Sequence, residues 1–317
     1  GMGVDRQQKR HCKRGYHGYS YAQIDKTNYK FKIHQPVGQG QQVVGLGFVD
    51  AIRLKMSDSQ NRGPTADVET TGLDPVKDEV IELAMVPFTF SSDGRIFEIK
   101  TPFHKFREPS GPIPSQITAL TGITDEMVAG QTISPEEIAA FVDDAALIVA
   151  HNASFDRRFC ERLSDSFAAK PWACSMTQVD WASEGYEGVK LAYLVTEAGF
   201  FYDRHRATND CLAAIQMLST SLPKSNLPAM AKLLENARRS SWRIWAENAP
   251  FDLKDVLKSR GYRWNGDVNG SPRAWYIDVS DEDRESELKF LRAEIYRREA
   301  DLFTKKITAF ERFSIRS

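Results

Sequence analysis

Residues 79–90 read Glu79-Val80-Ile81-Glu82-Leu83-Ala84-Met85-Val86-Pro87-Phe88-Thr89-Phe90. The run is rich in apolar residues and suits a strand buried in a sheet. Ser91-Ser92-Asp93-Gly94 is a turn, and residues 95–103 predict a second strand, so the two form a hairpin. Downstream, strand and helix signals interleave. Residues 115–120 start a short helix. Ser134 caps the next one, with Pro135 at its first position and Glu137 closing a capping box, and it runs to about 145. Residues 146–150 and 171–178 read as strands; 154–164, 189–198 and 207–222 read as helices. This alternation predicts an α/β sheet with helices on its faces.

Outside that region the pattern changes. Residues 3–40 are polar, basic and irregular, and read as a flexible arm. Residues 43–49 are strand-like, and 57–65 (SDSQNRGPT) read as a loop. Residues 223–228 (PKSNLP) signal a linker, followed by a helix over 229–239. Beyond 250 a small helix–strand–strand–helix unit is expected. Its helices cover 250–261 and 280–296, its strands 262–264 and 274–279. The expected organisation is an N-terminal extension over 1–60, a main domain over 61–222, a linker helix over 223–249 and an accessory α+β unit over 250–317.

Composition narrows the class. Over 317 residues, 41% hydrophobic content excludes a disordered chain, and 20 Gly with 14 Pro excludes a collagen-like one. No run approaches the roughly 18 apolar residues of a membrane span. The basic, polar start lacks the apolar core of a signal peptide, and Gly1 before Met2 reads as an expression scar. Cys12, Cys160, Cys174 and Cys211 show no CxxC spacing, which predicts a reduced, cytoplasmic protein without disulfides. The net charge of −1 is unevenly spread. Residues 61–222 carry 24 Asp/Glu against 13 Lys/Arg, whereas 1–60 and 223–317 are net basic. Such a balance suits acids that hold cations between ends that attract phosphate, although solvated surfaces give the same counts.

Three stretches carry chemistry. In Asp67-Val68-Glu69-Thr70-Thr71-Gly72-Leu73 an extended backbone puts both carboxylates on one face, an arrangement that costs energy without a cation. In His151-Asn152-Ala153-Ser154-Phe155-Asp156 an apolar strand runs into a helix whose first turn holds Asp156. Open α/β sheets place their ligands at such strand ends. In His205-Arg206-Ala207-Thr208-Asn209-Asp210 the histidine precedes a helix and the aspartate sits in its first turns. Taken singly, each is more often a surface or capping feature.

Together and in this order they resemble the three motifs of the DnaQ-like 3′→5′ exonucleases of the DEDDh branch, most closely the epsilon-type proofreading subunit. Residues 121–128 (TGITDEMV) resemble the family's stretch between the first two motifs, and the likeness covers roughly 67–222. The resemblance implies a ribonuclease-H-like fold with a five-stranded mixed sheet flanked by helices. It implies two divalent ions, Mg²⁺ or Mn²⁺, held by Asp67, Glu69, Asp156 and Asp210, with His205 as general base. Thr70, Thr71 and Gly72 would approach the terminal nucleotide, and Leu73 would wedge between its last bases. Asn152 and Phe155 would line the strand path; core packing is an equal reading for Leu73 and Phe155. The implied substrate is a single-stranded DNA 3′ end, cut to nucleoside 5′-monophosphates in proofreading or repair, with a DNA polymerase as partner and no membrane. RNA is the alternative substrate.

One departure stands out. The family's first motif follows an apolar strand, whereas Asn61-Arg62-Gly63-Pro64-Thr65-Ala66 is poor strand sequence. This supports a third reading, a catalytically impaired nucleic-acid-binding or polymerase-associated module. In the accessory unit, Arg260, Tyr262, Arg263, Trp264 and Trp275 interleave charge with aromatic faces. They are candidate contacts to single-stranded nucleic acid, with core formation as the competing reading.

Overall fold

The computed structural model describes residues 23–25, 30–32, 60–266 and 271–316. The expected strand over 43–49 lies outside the described residues, as does the arm over 3–40 apart from one antiparallel pair, β1 (Gln23–Asp25) and β2 (Lys30–Lys32).

The main sheet is built on β3 (Asn61–Thr70) and β4 (Val80–Phe90), antiparallel from Asn61↔Phe90 to Thr70↔Val80. β4 is buried throughout because the sheet is covered on both sides. Its even positions Ala84, Val86, Phe88 and Phe90 enter one core cluster, and Leu83 and Met85 enter the other. This is the two-residue period of a strand between two helical layers. The expected second strand over 95–103 divides into β5 (Ile96–Ile99) and β6 (Phe103–Phe106). Both pair with β4, β5 near Phe88–Phe90 and β6 along Glu82–Met85, so the sheet holds six strands rather than five.

Residues 61–66 correct the sequence reading. They are not a loop but the first part of β3, and Gly63, Pro64, Thr65 and Ala66 are buried. Proline removes one ladder donor, yet ten paired positions along β4 hold the strand. Gly63 is needed there because a Cβ would collide with the Leu147 carbonyl of the neighbouring chain segment. The support for an impaired module disappears with this strand: the first motif does follow a central strand.

The chain then runs through α1 (Ser115–Thr121), α2 (Asp125–Val128) and α3 (Pro135–Val142). Ser134 caps α3 by accepting from the Glu136 and Glu137 N–H groups. Glu137 reaches Lys105 rather than closing the expected box. β7 (Ile148–Ala150) lies parallel to β3 and leads into α4 (Ala153–Leu163), and β8 (Trp172–Cys174) forms the sheet edge. The expected strand over 171–178 shortens because the chain turns after Cys174, where Gln178 Oε1 accepts the Cys174 N–H. α5 (Trp181–Glu184), α6 (Leu191–Glu197), α7 (Ala207–Ser219) and α8 (Ala229–Arg238) follow. Residues of α7 and α8 form the core against β4.

A second sheet occupies the C-terminal part, in the order β10 (Arg263–Trp264), β11 (Trp275–Val279), β9 (Ser241–Ala246), β12 (Thr304–Ile307). Around it lie α9 (Lys254–Ser259) and α10 (Arg284–Phe290), continued by a π-helical segment Leu291–Tyr296. β9, within the stretch read as a linker helix over 223–249, is an inner strand of this sheet. It went unread because six residues with mixed polarity give little periodic signal. After β12 the chain returns to the main sheet: the Trp172 N–H on edge strand β8 donates to the Ala309 carbonyl at 2.8 Å. Among the described residues no helix is long and apolar enough to cross a membrane, and Cys160, Cys174 and Cys211 are free thiols.

Candidate active site and metal centre

β3 places Asp67 and Glu69 on one face, and α7 crosses that face with Asp210 in its first turn. One carboxylate oxygen from each of these three lies within 4.8 Å of the others, a group that could hold a metal ion. Asp156, in the first turn of α4, is buried beside them and accepts the Val68 N–H at 3.3 Å, so it is tied to the strand between the two acids. Two further donors fix Asp210: the Tyr202 hydroxyl at 2.8 Å and the Arg206 N–H at 3.2 Å.

The electrostatics show what such crowding costs. Removal from water, reinforced by Asp156, Asp210, Glu69 and Glu82, holds the Asp67 carboxyl far above its ordinary range. Burial and the neighbouring acids push Glu69 up to about 8. Asp156 rises to about 7, chiefly through burial, which outweighs the Val68 N–H. Asp210 also rises through burial, opposed by Tyr202, the Arg206 N–H and the charge of His205. Four acids that each resist ionisation form a hard, all-oxygen donor set. Oxygen donors of this kind suit a hard divalent cation, and the residues therefore fit the metal that the sequence implies.

His205 directly precedes the α7 entry and is half-buried, with φ at +61°. His151 is a different case. Its ring nitrogens meet Ser175 Oγ and the Val189 carbonyl, and burial lowers its pKa to about 4. It is neutral near pH 7 and committed to structure.

The loop after β3 is tied by hydrogen bonds at both ends. The Thr71 N–H donates to the Glu79 carbonyl, and Thr71 Oγ1 accepts the Glu79 N–H. Thr70 Oγ1 donates to the Gly72 carbonyl, and Gly72 sits against the Asp78 carboxylate. Arg162 of α4 reaches the carbonyls of Pro75 and Asp78. On this frame Leu73 is 83% exposed, which removes the core-packing reading for it. Phe155 is half-buried against Phe159, with ring centroids 4.9 Å apart. Asn152 is exposed at the N-cap of α4 and accepts from Ser154 Oγ.

Of the five candidates of the accessory unit, Arg263, Trp264 and Trp275 lie on strands of the second sheet, and Arg260 and Tyr262 lie between α9 and β10. Tyr262 is buried and its hydroxyl donates to Glu287, and the Arg260 guanidinium, 41% exposed, pairs with the same carboxylate. Trp275 packs into the local core and meets Trp264 edge-on at 5.7 Å. Trp264, 54% exposed, and Arg263, paired with Asp278, face outward.

Sequence reasoning missed Glu82, His104, Arg206 and Tyr202. Glu82 lies opposite Glu69 on β4, fully buried. Burial would raise its carboxyl, but hydrogen bonds from His104, Arg206 and the Ala207 N–H outweigh it and hold Glu82 below the ordinary range. Its only signal in sequence was a charge inside an otherwise apolar strand.

Two facing layers of helices on a mixed sheet, with acids gathered where β3 meets α7 and α4, define an α/β domain whose acids could hold a metal ion. Residues 65–218 match the family model described as Exonuclease (RNase_T). Over this segment the chain is similar to the exonuclease family that the three motifs resemble, and its six-stranded mixed sheet flanked by helices agrees with the fold that the resemblance implies. Among curated proteins, the DNA polymerase III PolC-type of Caldanaerobacter subterraneus subsp. tengcongensis is 32% identical over 164 residues, 50% of this chain and 11% of that protein. The PolC-type protein of Thermotoga maritima is 32% identical over 232 residues, 67% of this chain and 16% of that protein. The chain thus spans well under a fifth of the length of these relatives. Among solved structures, exonuclease X in complex with 5′ overhanging duplex DNA matches at 26% identity and a TM-score of 0.39, covering 53% of this chain and 99% of that one. The zinc-bound E. coli exonuclease I–single-stranded DNA complex matches at 16% and 0.49, covering 74% and 71%.

Proposed function

We propose that this chain is a divalent-metal-dependent 3′→5′ exonuclease that releases nucleoside 5′-monophosphates from single-stranded DNA ends. The observation that carries the reading is the convergence of Asp67, Glu69 and Asp210, with Asp156 tied to the same strand and His205 on the turn leading to Asp210.

In this reading Asp67, Glu69, Asp156 and Asp210 hold two ions, Mg²⁺ or Mn²⁺. When bound, the ions supply Lewis-acid activation of water and charge for the departing 3′ oxygen. His205 takes the proton of the attacking water at a ring nitrogen. Thr70, Thr71 and Gly72 present a hydrogen-bonded turn to the terminal nucleotide. The exposed Leu73 side chain wedges against its base, and Asn152 borders the path of the strand. On the accessory sheet, Trp264 and Arg263 give the strand a second contact, by stacking and by phosphate attraction.

The PolC-type relatives support a proofreading or repair setting, with a DNA polymerase as partner and the cytoplasm as location. The test is catalytic. His205→Ala should lower kcat by about 10²–10⁴-fold while Mn²⁺ binding stays intact. Loss of Mn²⁺ binding would make His205 a ligand instead of a base. Matched DNA and RNA oligomers decide the substrate, and faster cleavage of RNA would overturn the DNA assignment.

A further inference from the structure

Glu82 takes no part in the three-carboxylate group, although it stands directly across the sheet from Glu69. Its oxygens are already taken. Oε1 accepts from His104 Nε2 at 2.6 Å and from Arg206 Nε and Nη2 at 3.3 and 3.1 Å; Oε2 accepts the Ala207 N–H at 3.1 Å. A carboxylate so engaged is satisfied by protein donors and has no need of a cation.

Three of these four bonds come from residues 206 and 207, which directly follow His205. The same segment is tied on its other side, where the Arg206 N–H donates to Asp210 Oδ2. Between these ties His205 adopts φ +61°, a left-handed conformation uncommon for a side chain that carries a Cβ. Such a residue keeps its conformation only when its surroundings over-determine it. The Arg206 guanidinium is further seated over the Phe106 ring at 5.6 Å, and the His104 ring meets Phe106 edge-on at 5.0 Å. β4, β6 and the α7 entry therefore close on one buried carboxylate.

We propose that Glu82 is a positioning residue for the base: through Arg206 and the Ala207 N–H it fixes the turn that carries His205 beside Asp210. The proposal rests on the reading of His205 as general base. Glu82 touches neither substrate nor ions. It acts by holding the imidazole where a proton can be taken, and residues that orient a reacting group in this way commonly contribute about 10–100-fold to activity.

The experiment is a double-mutant cycle on a 5′-labelled single-stranded DNA oligomer, comparing wild type, Glu82→Gln, His205→Ala and the double variant. Thermal unfolding and Mn²⁺ binding are measured for each. Glu82→Gln should lower kcat about 10–100-fold with KM within about twofold. Mn²⁺ affinity should match wild type, and adding Glu82→Gln to His205→Ala should cost less than about twofold more, because the base it positions is gone. Multiplicative losses in the double variant, or a wild-type rate in Glu82→Gln, would overturn the proposal. Arg206→Met gives the same test from a side chain that is 37% exposed, so the cycle stands even if Glu82→Gln does not fold. An inactive wild-type protein would remove the exonuclease reading itself, which separates that failure from failure of the positioning role in an active enzyme.

Discussion

At the scale of single residues the site is a balance of burial against charge. The motif acids were legible because their spacing marks them: Asp67 and Glu69 alternate near the end of β3, and Asp156 and Asp210 sit in the first turns of α4 and α7. Glu82 was not, because its partners lie 22 and 124 residues away and only the folded sheet brings them together. The raised carboxyls fix a pH dependence with a definite sign. An acid raised in the folded state binds its proton more tightly there than in the unfolded chain, whose carboxyls titrate near ~4. Its contribution to stability is full at low pH and is lost as pH rises through the folded values, about 7 for Asp156 and about 8 for Glu69. The melting temperature of metal-free protein should therefore fall between about pH 5 and pH 8, and Mg²⁺ should raise it more at the upper end. A flat profile, with Mg²⁺ equally effective at both ends, would contradict the charge-crowded cluster. Asp210→Asn relieves the crowding: it should raise the metal-free melting temperature near pH 8 while lowering turnover by more than about 100-fold.

At the scale of elements, β3 decides how the motif is presented. Glycine and proline at 63 and 64 argue against a strand when read locally. Ten antiparallel positions on β4 and burial on both faces outweigh that preference, which is why the local reading failed there and succeeded for α3 and α4. Gly63→Ala should destabilise the protein by about 1–3 kcal/mol, since the added methyl meets the Leu147 carbonyl rather than a movable side chain. Denaturant unfolding checks this, and an unchanged midpoint would mean that β7 can draw away from β3 at no cost. Strands β9 and β12 were illegible for a different reason. Each is short, and their pairing is with one another and with β11 across long sequence gaps.

At the scale of the whole molecule, the segment after β12 joins the accessory sheet to the main domain. The buried Arg157 guanidinium, next in sequence to Asp156, donates to the carbonyls of Ala309, Phe310 and Arg312 and pairs with Glu161. Ser314 and Arg316 reach the same Glu161. Removing residues 308–317 would leave a buried cation without those acceptors, so a truncated protein should lose about 3–5 kcal/mol of stability. For this reason the role of the accessory sheet is better tested by point changes. Trp264→Ala should weaken single-stranded DNA binding by about 1–3 kcal/mol with the melting temperature unchanged. Equal affinity would return the tryptophan to a packing role. The central claim, a metal-dependent 3′ exonuclease built on the four acids, is tested most directly by one gel. A single-stranded DNA oligomer labelled at its 5′ end is incubated with Mg²⁺ or Mn²⁺, with EDTA, and with the Asp210→Ala protein. The account predicts a ladder shortening from the 3′ end that requires metal and is absent from the EDTA and Asp210→Ala lanes. A ladder that persists in either lane, or intact DNA in every lane, would contradict it.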